Sequence, residues 1–349
     1  VDVTVKPIYG HQEGAKVGYN PHKPGRPSHT YHSYLMANTR LVLDVDVQSG
    51  DRSHSSHSMP GLIQLLGRLA PDCQPAFIRG DCDWGNDPVM RELETLGHHY
   101  LFKLKRSKRV KQLIAEVHGS GTWTRFDRDW ELKESSLQLQ GWHQARRVVV
   151  VRRRLSKDAL VGLEYQSGQQ RELALVEGPD DMRLYEYSVL VTDLDDELVT
   201  VMRHYRDRAD CENNFDETKN QWGWGGFVTQ HLQTSQIMAR MVALIYNWWN
   251  LFVRLAIPEK HHEAITSRPL LLSSVGRLTQ SGRQRRMVIT STHGDTVTIQ
   301  RAYERVHAFF TWLKATATQL TQQECWQLIV TKSMEVFMGK DPPNRLPQT

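Results

Sequence analysis

Residues 76–117, AFIRGDCDWGNDPVMRELETLGHHYLFKLKRSKRVKQLIAEV, alternate between two structural periods. The short apolar run Ala76 to Arg79 predicts a strand, and helical spacing follows from Pro88 to Leu96. Tyr100 to Leu104 predicts a second strand, and Lys108 to Val117 a basic helix. Strands alternating with amphipathic helices bury their apolar faces by layering helices on a sheet, so the expected class is α/β with a mixed sheet.

On the N-terminal side, VDVTVKPIYG alternates Val1, Val3 and Val5 with Asp2 and Thr4, giving a strand with one apolar and one polar face. It has no Met and starts within that alternation, so the sequence is expected to lack its natural N-terminus. Residues 9–32 carry Pro21, Pro24 and Pro27 among glycines and basic side chains and predict a long functional loop. In it, Lys16, Lys23 and Arg26 are candidate DNA contacts. Extended segments over 34–38 and 41–47 follow, then a helix from Met59 to Leu69 with Pro60 near its start.

From 119 to 199 the period changes to two, predicting strands over 123–126, 130–138, 146–153, 173–176 and 185–191. Helical spacing returns near Glu197 and runs past Gln221. After a Gly-Trp-Gly-Gly turn an apolar helix begins near Leu232 and is expected to be buried core. Its Arg240, Asn247, Asn250 and Arg254 argue against a membrane span. The tail predicts a hairpin around Gly294 and a helix from Tyr303 to Leu320. The domains expected are 1–118, 119–199, 200–257 and 258–349.

With 349 residues, 24% of them charged, the composition is that of a globular chain, not a disordered one. The net charge of +5 is modest, but its basic residues cluster, as in Arg152, Arg153 and Arg154, which suits a polyanionic partner. Four cysteines without a CxxC pair argue against a zinc site or a disulfide framework, and point to a reduced, cytoplasmic or nucleoid setting.

The densest chemistry lies in HYRDRADCENNFDETKNQWGWGG, residues 204–226. On one continuous helix, at about 100° per residue, Tyr205, Arg208, Glu212 and Lys219 fall within roughly 60° of one another. Arg and Lys suit phosphate oxygens, and Glu suits a metal. One carboxylate holds Mg²⁺ poorly, so others are needed. Asp2 on its polar strand face and Asp81 after the FIRG strand could join Glu212; Asp83, Asp44, Asp46 and Asp216 are rivals.

The spacing Tyr-x2-Arg-x3-Glu-x6-Lys, with VDVTVKPIYGHQEGAKVGYNPHKPGRPSHTYH and FIRGDCDWGND, resembles bacterial insertion-sequence DDE transposases of the Tyr-Arg-Glu-Lys group. The resemblance covers about residues 1–260. It implies a ribonuclease H-like mixed sheet interrupted by a β-rich insertion, followed by a helical C-terminal region. It also implies that Asp2, Asp81 and Glu212 form a catalytic triad holding two Mg²⁺ or Mn²⁺ ions, with Tyr205, Arg208 and Lys219 gripping phosphates. The implied partners are double-stranded DNA, as element terminal inverted repeats and target, and a second copy of the chain. Trp123, Trp130 and Trp142 become candidates for stacking on a flipped base. A catalytically silent DNA-binding remnant and a general nuclease on the same fold are the other readings.

Overall fold

In a computed structural model, the structure describes the chain except for residues 21, 38, 156–181, 183, 208, 228, 260, 273–274, 291–295 and 336–349. The expected strand over 173–176 therefore lies outside the described residues. The chain divides into two compact units. The first joins Val1–Asn38 to Asp46–Glu212, and the second joins Thr39–Val45 to Asn213–Thr349.

In the first unit, β1 (Asp2–Pro7) pairs antiparallel with β3 (Pro27–Met36), placing Asp2 opposite Ser33 and Lys6 opposite His29. The short β2 (Lys16–Val17) also pairs with β3, as does β4 (Leu41–Ser49), whose residues 41–45 count with the second unit. The expected loop over 9–32 is thus partly sheet. β3 gives no alternating signal because nearly all of PSHTYHSY is buried, polar side chains included. Part of this polar set is hydrogen-bonded: His29 Nε2 pairs with the Glu13 carbonyl at 2.8 Å, Thr30 Oγ1 with His32 Nε2 at 3.1 Å, and Tyr34 donates to the Ser58 carbonyl at 2.7 Å.

A second, six-stranded sheet runs β5 (Ile78–Gly80), β6 (Tyr100–Lys103), β10 (Tyr185–Thr192), β9 (Arg146–Arg154), β8 (Trp130–Leu137), β7 (Thr124–Arg125). Its β5–β6 pair is parallel and the rest are antiparallel, so the sheet is mixed. Helices α1 (Ser55–Leu66), α2 (Asp87–Thr95) and α3 (Lys108–His118) contribute to the main core with Trp84, Tyr100, Phe102 and Val148. Helix α1 begins before the expected Met59, so Pro60 sits inside it rather than at its start. Asn86 caps α2 through the Val89 amide, and Ser107 caps α3 through the Val110 amide. Arg146 is buried between Asp87 and Glu94, at 2.7 and 2.8 Å, and ties the start of β9 to α2.

Helix α4 (Leu198–Arg206) closes the first unit's helical set, and α5 (Ala209–Asn220) spans the boundary. In the second unit, α6 (Leu232–Ala256) packs with α8 (Thr296–Thr316) and α9 (Gln322–Met334) around Leu255, Phe309 and Leu313. Between them lie α7 (Ala264–Leu272) and a hairpin of β11 (Val275–Ser281) and β12 (Gln284–Thr290). This hairpin turns at Gly282; the turn expected around Gly294 lies outside the described residues. The final helix, α9, escaped the periodicity, although Thr321 and Glu324 form its capping box.

Helix α6 is only partly core. Its polar residues hold the segment 39–45: Asn247 brackets Val42, donating to its carbonyl at 2.7 Å and accepting from its amide at 2.9 Å. Arg240 pairs with Asp44 at 2.8 and 3.1 Å, and Gln236 donates to the Val45 carbonyl at 2.6 Å. Another face exposes Ile237, Met241, Leu244, Ile245 and Trp248. The expectation of a buried helix therefore fails on that face. No helix among the described residues is long and apolar enough to cross a membrane.

Candidate active site

The structure brings two of the candidate carboxylates to adjacent strand ends. The main-chain nitrogen of Val1 donates to the Arg79 carbonyl at 2.7 Å, setting the start of β1 against the end of β5. Asp2 follows the donor directly, and Asp81 follows the acceptor by two residues. Asp2 is buried, and its Oδ1 accepts the Val3 amide at 2.9 Å. Asp81 is half-buried, and its Oδ1 accepts the Asp83 amide at 2.9 Å. Each carboxylate is thus oriented by its own backbone.

The turn behind Asp81 is built by close packing. A Cβ on Gly80 would lie 2.6 Å from Cγ of Trp84, whose ring is fully buried. Only glycine lets the strand end pass the indole at that distance. The turn closes with the Trp84 amide on the Asp81 carbonyl at 3.3 Å and the Asn86 amide on the Trp84 carbonyl at 2.8 Å.

The rival carboxylates are engaged elsewhere. Asp83 accepts the Ser55 amide at 2.5 Å and the Lys105 ammonium at 2.6 Å, and stands 3.5 Å from His54. Burial alone would raise its pKa, but Lys105 and the Ser55 amide hold it below the usual range. It therefore pins the start of α1 to this turn. Asp44 is taken by Arg240, Asp46 accepts from Gln48 at 2.6 Å, and Asp216 accepts from Asn220 at 2.7 Å on an exposed helix face.

The third carboxylate sits on α5, but the Glu212 side chain lies outside the described residues, as does Arg208. Among the described residues no group of three or more His, Cys, Asp or Glu gathers to hold a metal. The single continuous helix expected past Gln221 is two helices: α4 ends with Asp207 as its cap, and α5 starts at Ala209. The 100° arithmetic therefore does not run from Tyr205 to Lys219. Tyr205 packs on the Leu101, Leu132 and Val201 cluster of the first unit. Lys219 is half-buried in the second, where burial lowers its pKa against the opposing pull of Asp216.

Glu217 is buried. It accepts the Ala264 amide at 3.0 Å and the Trp222 indole at 3.2 Å, with His261 at 3.8 Å. Burial would raise its pKa; these partners outweigh that and lower it. The nearby glycine turn anchors the end of α5. Gly223 takes φ +94°, Gly225 donates to the Lys219 carbonyl at 3.2 Å, and the Trp224 indole donates to the Ala239 carbonyl at 3.0 Å.

Of the basic loop, Lys16 is exposed and pairs with Asp51 at 3.3 Å. Lys23 hydrogen-bonds the Tyr9 hydroxyl, and Arg26 lies 4.7 Å from the centre of the Tyr9 ring. Tyr9 itself is 68% exposed, an aromatic member of this cationic cluster that its charge pattern alone does not reveal. Among the tryptophans, Trp142 is core, Trp123 has Arg152 stacked at 3.9 Å, and Trp130 has Arg153 at 5.4 Å.

Residues 1–310 match the family model described as transposase DDE domain group 1. The chain belongs to this DDE transposase family. No protein of curated function matches the chain. The family match covers both aspartate-bearing strand ends and α5, and makes the chain a transposase domain of a kind that acts on DNA.

Proposed function

We propose that this DDE domain catalyses cleavage at insertion-sequence ends and transfer of the freed 3′-hydroxyl into target DNA. The observation that carries this is the Val1–Arg79 hydrogen bond, which sets Asp2 and Asp81 on neighbouring strand ends. The carboxyl ends of strands in α/β sheets are where functional groups collect, and Asp81 follows the carboxyl end of β5. The order β4-β3-β1, continued through that bond to β5 and β6, supports a ribonuclease H-like core, with β7 to β10 as the β-rich insertion.

Asp2 and Asp81 supply hard oxygen donors, the chemistry that Mg²⁺ or Mn²⁺ takes. With Glu212 they would hold two such ions, which when bound activate the attacking oxygen and stabilise the leaving one. The backbone amides of Val3 and Asp83 orient the two aspartates. Tyr205, Arg208 and Lys219, with Lys16, Lys23 and Arg26 on the basic loop, bind phosphates of the element end. Two copies of the chain pair two ends in the DNA complex.

Asp81→Asn and Glu212→Gln are expected to abolish cleavage of a terminal-repeat duplex in Mg²⁺ while DNA binding survives. Cleavage equal to the unaltered chain overturns the assignment. A duplex with scrambled ends distinguishes a transposase, which spares it, from a general nuclease, which does not.

A further inference from the structure

The hairpin of β11 and β12 forms a two-stranded sheet of its own. Among the described residues its two strands pair with each other and with no other strand. Between residues 275 and 290 the sequence holds four arginines, Arg277, Arg283, Arg285 and Arg286, and no acidic residue. All four are exposed.

The register sorts them. Directly opposed residues share a face, so Arg277 with Val288, Thr279 with Arg286, and Ser281 with Gln284 line one side. That side carries guanidinium, hydroxyl and amide groups, the set that reads base edges and phosphates. Gln280 and Arg285 pair on the other side. At the tip, Gly282 takes φ +59°, as a two-residue turn with glycine first requires, and projects Arg283 next to it.

The dimensions fit one ligand. Two strands about 4.8 Å apart, with side chains, make a ribbon that a major groove about 12 Å wide admits. Seven residues per strand at about 3.3 Å each reach well beyond the groove depth of about 8.5 Å. A ribbon with no neighbouring strand among the described residues, and with four exposed arginines and no acidic residue, would be a poor structural element for its own sake.

We propose that the β11–β12 ribbon is a DNA-reading arm that enters the major groove of duplex DNA. It does so through Arg277 and Arg286 on one face, Arg285 on the other and Arg283 at the tip. The proposal rests on the chain acting on DNA, but it is independent of the carboxylate site. An acidic protein partner is the competing occupant.

The test uses the full chain in EDTA and a labelled 30-base-pair duplex, following binding by anisotropy across a salt series. A variant with all four arginines changed to Gln is expected to bind on the order of 100-fold more weakly at physiological salt. Its log K against log salt slope should fall by about 0.9 for each phosphate no longer neutralised. The corresponding Lys variant keeps the charge and should recover the slope. Unchanged affinity and slope in the Gln variant overturn the proposal in favour of another partner. Failure of the Lys variant to recover assigns the effect to folding and overturns it as well.

Methylation of guanine N7 marks the major-groove edge and should interfere with the unaltered chain but not with the Gln variant. A reduced slope without such interference puts the arm on the backbone and overturns the groove assignment. Because EDTA removes divalent metal from the binding test, a chain that binds through the ribbon yet never cleaves in Mg²⁺ would overturn the enzymatic reading alone.

Discussion

Gly80→Ala tests the link between the fold and the proposed site at one atom. The added Cβ would stand 2.6, 2.8 and 2.9 Å from Cγ, Cδ1 and Cβ of Trp84. These are the root of the side chain, not a flexible end, and the ring is locked in the core 6.1 Å from Phe102. The indole therefore cannot swing aside; strand end or turn must move. Overpacking of this kind costs about 1–3 kcal/mol. For a unit of this size, about 2 kcal/mol lowers Tm by roughly 4–8 °C.

The same movement displaces Asp81, the next residue, and a shift of about 1 Å at a reacting group costs on the order of 100-fold in rate. Thermal unfolding followed by tryptophan fluorescence, alongside end cleavage, reads both effects. The control is Gly119→Ala, where φ is −84° and nothing lies within 4 Å of the new Cβ. It should leave stability unchanged or raise it by about 0.4–1 kcal/mol. Gly80→Ala as stable and active as the control would refute the close approach at Trp84 and the coupling built on it.

Three further outcomes follow from the same packing. Asp83→Asn should cost about 1–3 kcal/mol by weakening the Lys105 and Ser55 bonds yet retain cleavage, the reverse of Asp81→Asn; denaturant melts and cleavage assays on both variants decide which aspartate is structural. Arg146→Ala should lose about 3–5 kcal/mol by leaving buried Asp87 and half-buried Glu94 without their cation, whereas combining Arg146→Met with Asp87→Asn and Glu94→Gln should recover much of that loss in urea titration. Glu217 has a lowered pKa, so its contribution is present above its unfolded value of about 4.3 and fades as pH falls through the folded one; Glu217→Gln should flatten this acid limb in melts across pH 2–6.

Where burial is apolar, sequence and structure agree closely. Helix α3 starts at the expected residue, and β9 and β10 each extend one residue beyond expectation. Agreement fails where burial is not apolar. β3 buries His29, Thr30, His32 and Ser33, the first three behind side-chain hydrogen bonds, so no alternation marks it. Glu217 looks like a solvated charge because its partners, Ala264, Trp222 and His261, come from outside its own helix. Capping chemistry carried the missed α9, since Thr321 and Glu324 spell its start while its apolar stripe is faint.

The break at Asp207 alters what the Tyr-Arg-Glu-Lys spacing can mean. On one rigid helix, a shared stripe would itself place the four side chains together. With α4 and α5 separate, Tyr205 is held by the Leu101 and Leu132 cluster, while the end of α5 is held by the Trp224 turn on α6. Each is oriented by its own packing. The spacing therefore specifies two anchored helix ends rather than one ladder. Disturbing either anchor should alter the proposed phosphate grip without touching a carboxylate. Trp224→Phe keeps much of the buried ring area but deletes the indole donor to Ala239. Its effect should therefore fall on α5, with the Asp2 and Asp81 strand ends unchanged.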